Sequence, residues 1–387
     1  MKKKVCVLTA TRAEYGLLRP VIKRLRDDEL FDVRIAVTGA HLSPEFGLTY
    51  KEIEEDDFPI DKKIEILLSS DTPSSISKSM GLAMLGFADY FSQSKPDLLL
   101  VLGDRYETLA VCCAAMNERI PIAHLYGGET TEGAVDEAYR HAITKLSYLH
   151  FTSTELYKKR VIQLGEDPSR VFNVGALGIE NVLSEPLLER DELEKSLHFE
   201  LGEHYVVVTY HPVTLESDSS EIGFQALLDA LDSFPELRIL FTKANADADG
   251  RIINEMIDRF VLKRSNAIAV ASLGVKRYLS AVKHSDAVIG NSSSGIIEVP
   301  SFHVPTINIG DRQKGRLMAE SVINCSHSQD SIVQALETVF SKQFTNSMSQ
   351  VSNPYEKSDT SKNIVKEIKK FLLNKSIDLK KAFYDSN

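Results

Sequence analysis

Short apolar runs and amphipathic stretches alternate along both halves of the chain. In the first half the runs at 5–8, 33–37, 98–102, 120–125 and 149–152 are apolar and rich in β-forming residues, and helical patterns such as 15–26 and 75–92 separate them. That alternation predicts βαβ units and a parallel sheet. A second series, 205–209, 239–242, 268–271, 287–289 and 306–309, repeats the pattern and predicts a second sheet of the same kind. The expected fold is therefore α/β, with two Rossmann-like doubly wound domains at 1–174 and 175–360. A hinge is expected at 173–177, where Gly175 and Gly178 punctuate the chain. The helical pattern at 361–373, within the segment 361–387, is expected to pack back on the first domain. The Ser/Asn-rich stretch 344–359 reads as a loop, and no internal repeat is evident. Ligands of such sheets bind beyond the carboxyl ends of the strands, so the site is expected there, in the cleft between the domains.

Composition narrows the chemistry. A length of 387 residues suits two cores better than one, and 43% apolar with 26% charged residues is a globular composition. With 45 basic and 55 acidic residues the net charge is −10, which argues against binding nucleic acid polymers but leaves room for a local phosphate pocket. The apolar run at 5–8 is too short for a signal-peptide core, and no run reaches membrane-spanning length. The four cysteines form no CxxC, and Cys112 and Cys113 sit in an apolar helical pattern, as reduced core thiols of a cytoplasmic protein would. No His/Cys/Asp cluster has metal-ligand spacing and no GxGxxG is present, so neither a metal nor a nicotinamide cofactor is expected.

Candidate chemistry collects at predicted strand ends. TATRAEYG follows the first strand, where Arg12 either grips a phosphate or pairs with Glu14. LLLVLGDRYE drives a buried strand into Asp104 and Arg105; the same aspartate could instead cap the next helix. IAHLYGGETTEGAVDEAYRHAITK packs His124, Glu129, Glu132, Asp136, Glu137, Arg140 and His141 into a strand, a glycine-rich loop and a helix. There Asp136/Arg140 and Glu137/His141 are spaced i,i+4, and Gly127, Gly128 and Gly133 admit a close backbone approach. YVVVTYHPVT ends a strand on His211, before a proline. Asn245, Asp247, Asp249 and Gly250 match the start of a calcium loop, but its twelfth position is Met256 where a bidentate Glu is needed. VIGNSSSGIIEVPS offers hydroxyls and free N–H groups, as either a tight turn or an anion cradle opening a helix. NIGDRQKGR places Arg312, Lys314 and Arg316 just beyond another strand.

Taken in order, TRAEYG, GDRYE, GGETTEGAVDEAYRHAITK, HPVT, GNSSSGIIEVPS and NIGDRQKGR resemble the hydrolysing UDP-N-acetylglucosamine 2-epimerases of bacterial sialic acid synthesis. The resemblance runs from about Val5 to Tyr384. It implies a glycosyltransferase-B-like pair of domains, a UDP-sugar between them and a homodimer or homotetramer. It also implies nucleotide contacts by Ser292, Ser293 and Glu298, with Arg12 and Arg312 at the phosphates. Asp104, Asp136 and His211 fall on motifs associated with catalysis, and His41 on one lining the sugar; Arg105 accompanies Asp104 on the substrate side. Where many relatives read HIEGGE, this chain has Tyr126 in place of a catalytic Glu, and Glu129 is the candidate replacement.

The chemistry that the resemblance implies has a physical logic. The hydrogen on carbon 2 of a sugar is a very weak acid, so the bond to UDP must break first. The developing oxocarbenium ion then acidifies that hydrogen, elimination gives a glycal and UDP, and water adds with reprotonation from the opposite face. Two acid/base groups are needed, for which Asp104 and Asp136 are the expected pair. An alternative substrate within the family is UDP-2,4-diacetamido-2,4,6-trideoxyglucose, on the route to legionaminic acid. A glycosyltransferase and a non-catalytic sugar-nucleotide sensor are the rivals of other classes.

Overall fold

A computed structural model describes residues 2–70, 72–132, 135–212, 219–243, 250–374 and 378–385. The chain divides into two compact units: Met1–Glu129, Asp136–Glu180 and Lys357–Asn387 form one, Thr130–Val135 and Asn181–Glu356 the other.

The first unit holds a parallel seven-stranded sheet in the order β3-β2-β1-β4-β5-β6-β7. Its strands are β1 (Lys3–Thr9), β2 (Phe31–Thr38), β3 (Ile60–Ile64), β4 (Leu98–Leu102), β5 (Ile122–Leu125), β6 (Leu149–Thr152) and β7 (Val171–Asn173). Every residue of β4 is buried, as a strand covered by helices on both faces must be. Strand order reverses direction between β1 and β4, which makes their carboxyl ends the natural ligand crevice of a doubly wound sheet. Against one face pack Phe87, Phe91, Val111 and Cys112, all fully buried.

The last helix, Thr360–Leu373, belongs to this unit and packs on the helix Arg12–Asp27. Glu180 anchors its start: the carboxylate accepts from the Ser361 N–H at 2.6 Å and from Ser361 Oγ at 2.5 Å. An acidic group at a helix N-terminus satisfies orphan amides and matches the helix dipole. The contact network thus breaks after Glu180, a few residues beyond the glycine-marked hinge.

The second unit repeats the architecture with six parallel strands in the order β10-β9-β8-β11-β12-β13. These are β8 (Tyr205–Thr209), β9 (Arg238–Thr242), β10 (Ala267–Val270), β11 (Ala287–Gly290), β12 (Thr306–Ile309) and β13 (Val322–Cys325). Phe224, Phe241, Ile289 and Leu336 fill one side and Tyr205, Val207, Leu240 and Val299 the other. The stretch expected as a loop at 344–359 is partly helical. Ser341 Oγ accepts from the Phe344 N–H at 3.3 Å and caps the helix Lys342–Ser347, which runs into a 3-10 turn at Met348–Gln350. A serine cap outweighs a composition that reads as coil.

Among the described residues no helix is long and apolar enough to cross a membrane. No group of three His, Cys, Asp or Glu side chains among them is placed to hold a metal ion. Asn245, Asp247 and Asp249 lie outside the described residues, and Gly250 begins the helix Gly250–Val261.

Candidate active site

One buried arginine gathers the acidic motifs of the first unit. Arg140 lies on the helix Asp136–Leu146 with its side chain 1% exposed. Its Nη2 donates to Asp104 Oδ2; its Nη1 donates to Glu137 Oε2 at 2.5 Å and to the Glu129 carbonyl at 2.9 Å. A buried guanidinium is tolerated only when its charge and its protons are matched. Two carboxylates and a carbonyl do that here, and they fix the Asp104 carboxylate, a quarter exposed, at the mouth of β4. Asp136 opens the same helix, half-buried. Glu137 also accepts from His141 Nε2 at 3.1 Å, which realises the i,i+4 spacing. Glu129 is almost fully buried and accepts from Ser153 Oγ at 2.7 Å.

Behind Asp104, His124 Nε2 donates to the Gly103 carbonyl at 2.7 Å and its Nδ1 lies 3.3 Å from Thr144 Oγ1. The close approaches read from the glycines are made by the protein itself. Gly128 has φ +78, and a Cβ there would sit 2.3 Å from the Tyr157 carbonyl oxygen. At Gly127 it would sit 3.1 Å from Thr144 Oγ1, and Gly133 lies outside the described residues. Tyr126 takes a left-handed backbone conformation with φ +69, and its phenol oxygen accepts from the Leu177 and Gly178 N–H groups at 2.8 and 3.4 Å. This side chain thus caps the N-terminus of the helix Leu177–Ser184.

At the mouth of β1, Thr11 and Glu14 form a capping box on the helix Arg12–Asp27, whose first residue is Arg12. Glu14 Oε2 accepts from the Ala10 and Thr11 N–H groups, so the reading in which Arg12 pairs with Glu14 gives way to a cap. Burial, then the charge of Glu107, push the Glu14 carboxyl up to about 7, against the pull of Arg105. Arg105 Nε donates to Glu107 Oε1 at 2.7 Å, which orients the guanidinium at the mouth of β4. His41 is fully buried, with Nε2 2.9 Å from Thr9 Oγ1 and Nδ1 2.8 Å from Thr49 Oγ1. Both ring nitrogens are engaged, which holds the ring fixed between Thr9 and Thr49.

These buried groups give the unit a pH dependence. Burial pulls the imidazoles down, His41 to about 4 and His124 to about 3, so between those values and about 6.5 the unfolded chain binds protons that the folded one refuses. Stability therefore falls with falling pH across that window. Glu14 works in the opposite sense: raised to about 7, it holds a proton in the folded state where the unfolded carboxyl has lost it, down to about 4.3. His150, pulled down by its own burial, acts in the same sense as His41 and His124, so the imidazoles outweigh the one carboxyl and stability falls as pH falls from about 6.5 toward 4.5. Urea unfolding at three pH values checks it; a flat or inverted profile contradicts the assignment.

In the second unit the serine run has a buried foundation. Asn291, fully buried after β11, accepts from the His211 N–H through Oδ1 and donates to the His211 carbonyl through Nδ2, both at 2.7 Å. Its own carbonyl accepts from Arg312 Nη1 at 3.0 Å and Gln313 Nε2 at 2.7 Å. His211 and Arg312, from the mouths of β8 and β12, thus meet at the mouth of β11. Gly290 is obligatory there: its φ is +136 and a Cβ would lie 1.9 Å from the Thr209 carbonyl oxygen. Ser292 and Ser293 follow, half-buried, with Ser292 Oγ accepting from the Ser294 N–H at 3.4 Å and Tyr278 OH donating to Ser294 Oγ at 2.8 Å. The helix they open is a single turn, Ser294–Ile297, ending at Glu298 before a 3-10 turn. Four peptide units make a small dipole, so hydroxyls and arginine supply what anion affinity the turn has. Arg316 is occupied elsewhere in the unit: its Nε donates to the Thr130 carbonyl at 2.8 Å. Lys314 is exposed, 3.7 Å from Asp311.

The motifs read from the sequence thus lie at strand ends, and the residues that tie them together are others. The spacing places Arg140 only on a helix face with Asp136, and the serine run takes in Asn291 only as part of its polar cluster. The signal that marks them is a long polar side chain on a helix face shared with Ile143, and an amide at the end of an apolar strand.

Comparison with known proteins places this geometry. The family model described as UDP-N-acetylglucosamine 2-epimerase matches residues 23–369. A Campylobacter jejuni protein named GDP/UDP-N,N'-diacetylbacillosamine 2-epimerase (hydrolyzing) is 47% identical over 344 residues, 89% of each chain. The polysialic acid biosynthesis protein P7 of Escherichia coli is 42% identical over 384 residues, 99% of this chain and 97% of that one. Among solved structures, the S. aureus MnaA–UDP co-structure superposes with a TM-score of 0.80 at 19% identity, covering all of both chains, which is a likeness of fold.

Proposed function

Since this chain belongs to the UDP-N-acetylglucosamine 2-epimerase family, we propose that it is a hydrolysing 2-epimerase that frees UDP from a UDP-2-acetamido sugar by way of a glycal. The observation that carries the reading is the Asp104 carboxylate fixed by buried Arg140, on the helix that Asp136 opens, in a chain of that family. Asp104 and Asp136 are the acid/base pair, one ionised and one protonated, as removal and return of the carbon-2 proton on opposite faces requires. Glu129 supports them. Ser292, Ser293, Arg312 and Arg12 take the diphosphate, Glu298 the ribose, and His211 assists the leaving phosphate. Each good donor aimed at charge developing in the transition state is worth roughly 3 kcal/mol. His41 and Arg105 stand on the sugar side, each oriented by its own hydrogen bonds. The work belongs in the cytoplasm, where UDP-sugars are made, and in a homo-oligomer.

The substrate we favour is UDP-N,N'-diacetylbacillosamine, which is UDP-2,4-diacetamido-2,4,6-trideoxyglucose, because the relative so named is 47% identical over most of both chains. UDP-N-acetylglucosamine, giving N-acetylmannosamine for sialic acid, is the second reading, favoured by the family description and by the polysialic acid relative. Measured kcat/KM for UDP release from both sugars, without metal or acceptor, decides. A preference of about tenfold or more for the diacetamido sugar is expected, corresponding to about 1.4 kcal/mol. The reverse preference moves the chain to the sialic acid route. Silence with both favours a transferase or a sensor.

A further inference from the structure

We propose that Asn291 is a positioning residue whose side-chain amide sets His211 for the reaction, while its main-chain carbonyl independently anchors Arg312 and Gln313. This rests on the hydrolysing reading for the part His211 plays.

The ladder between β8 and β11 ends where Gly290 lies opposite Thr209. His211 lies two residues beyond it, next to Pro212, which has no N–H to offer. The Asn291 amide supplies the missing rung: its acceptor meets the His211 N–H and its donor the His211 carbonyl, each at 2.7 Å. A carboxamide presents one donor and one acceptor side by side. An aspartate in its place would turn an acceptor toward the carbonyl, and alanine would leave both groups of a partly buried peptide unmatched. The Asn291 N–H donates to the Thr209 carbonyl at 3.2 Å, and a Cβ on Gly290 would lie 1.9 Å from the same oxygen, so the chain here has little room to shift and re-pair.

The division of labour makes the proposal separable from a general structural role. The contacts to Arg312 and Gln313 use the main-chain oxygen of Asn291, which any substitution at this position retains. Removing the side chain therefore loosens His211 and spares the diphosphate grip. A displacement of the acting group by about 1 Å costs roughly 100-fold in rate.

The experiment compares wild type, Asn291→Ala, His211→Ala and the double variant for kcat, for UDP affinity by calorimetry, and for the His211 ring signals in an imidazole ¹H–¹⁵N spectrum. The expected result is a kcat lowered roughly 100-fold in Asn291→Ala with UDP affinity within about threefold. The double variant should be no slower than His211→Ala, the non-additivity of two residues acting as one unit, and the His211 signals should move or broaden. A kcat near wild type, losses that multiply, or UDP affinity falling in step with kcat overturns the proposal. If Asn291→Ala does not fold, Asn291→Asp carries the same test, since it keeps the acceptor for the His211 N–H but sets a second acceptor against the His211 carbonyl; full kcat in it overturns the proposal. A wild type that releases no UDP would instead count against the functional reading. In that case the ring spectrum still decides the positioning, and an unchanged spectrum overturns it.

Discussion

Asp104→Asn is expected to lower turnover about 1,000-fold while UDP affinity stays within about threefold. The substitution keeps the shape, and the amide oxygen still accepts from Arg140 Nη2, so the buried guanidinium retains a partner there and a second one in Glu137. What disappears is a group that can take or return a proton. The stability cost should be small, about 1 kcal/mol, because no buried donor is stranded. Asp104→Ala should be worse on both counts, since it removes the partner of a side chain that is 1% exposed. UDP release by Asp104→Asn at a near-wild-type rate would take Asp104 out of the mechanism.

Glu166→Ala should cost about 3 kcal/mol of stability. The Glu166 carboxylate, 1% exposed, accepts from Lys145 Nζ at 2.6 Å, His150 Nε2 at 3.0 Å and Lys381 Nζ at 2.6 Å. Burial opposes its ionisation, but the hydrogen bonds from His150, Lys145 and Lys381 prevail and hold it down to about 2. A folded pKa below the unfolded value of about 4.3 means that this contribution is present above about 4.3 and is lost as pH falls through about 2. Lys381 also donates to the carbonyls of Lys145 and Ser147, and Phe383 packs where a Cβ on Gly165 would sit 2.3 Å from its ring. The carboxylate therefore ties down the segment at 378–385 as well as His150. Lys381→Ala removes one of its three partners and leaves no uncompensated buried charge, so its cost should be about 1 kcal/mol. Urea unfolding at pH 7 separates the two; equal losses would contradict the view that the carboxylate is the centre of the cluster.

How far the sequence could be read follows from where burial is written into it. The central strands announced themselves because a strand covered on both faces must be apolar throughout, as β4 and β8 are. The edges did not. β3 reads IDKKI with an exposed middle, β7 is three residues long, and β13 is half-exposed, so none carries an apolar run above the background of loops. The same limit governs the site. Residues at strand ends were legible because charge following a buried strand is conspicuous. The partners that fix them were hidden because hydrogen bonds at long sequence separation leave no spacing: Arg140 reaches Asp104 across 36 positions, and Asn291 reaches His211 across 80. The contacts of Arg105 to Glu107 and of His41 to two threonines were equally illegible, because none of them follows a helix or strand repeat. Tyr126 looked like a lost catalytic group, and its role as a helix cap depends on Leu177 and Gly178, about 50 residues on.

The most direct measurement is proton NMR of the purified protein with each UDP-sugar in deuterated water, without metal or nicotinamide. The account predicts UDP released together with a free sugar of inverted configuration at carbon 2, carrying deuterium there, since elimination discards the original proton and reprotonation draws on solvent. A free sugar of unchanged configuration that keeps its carbon-2 proton would mean simple hydrolysis and would contradict the glycal route.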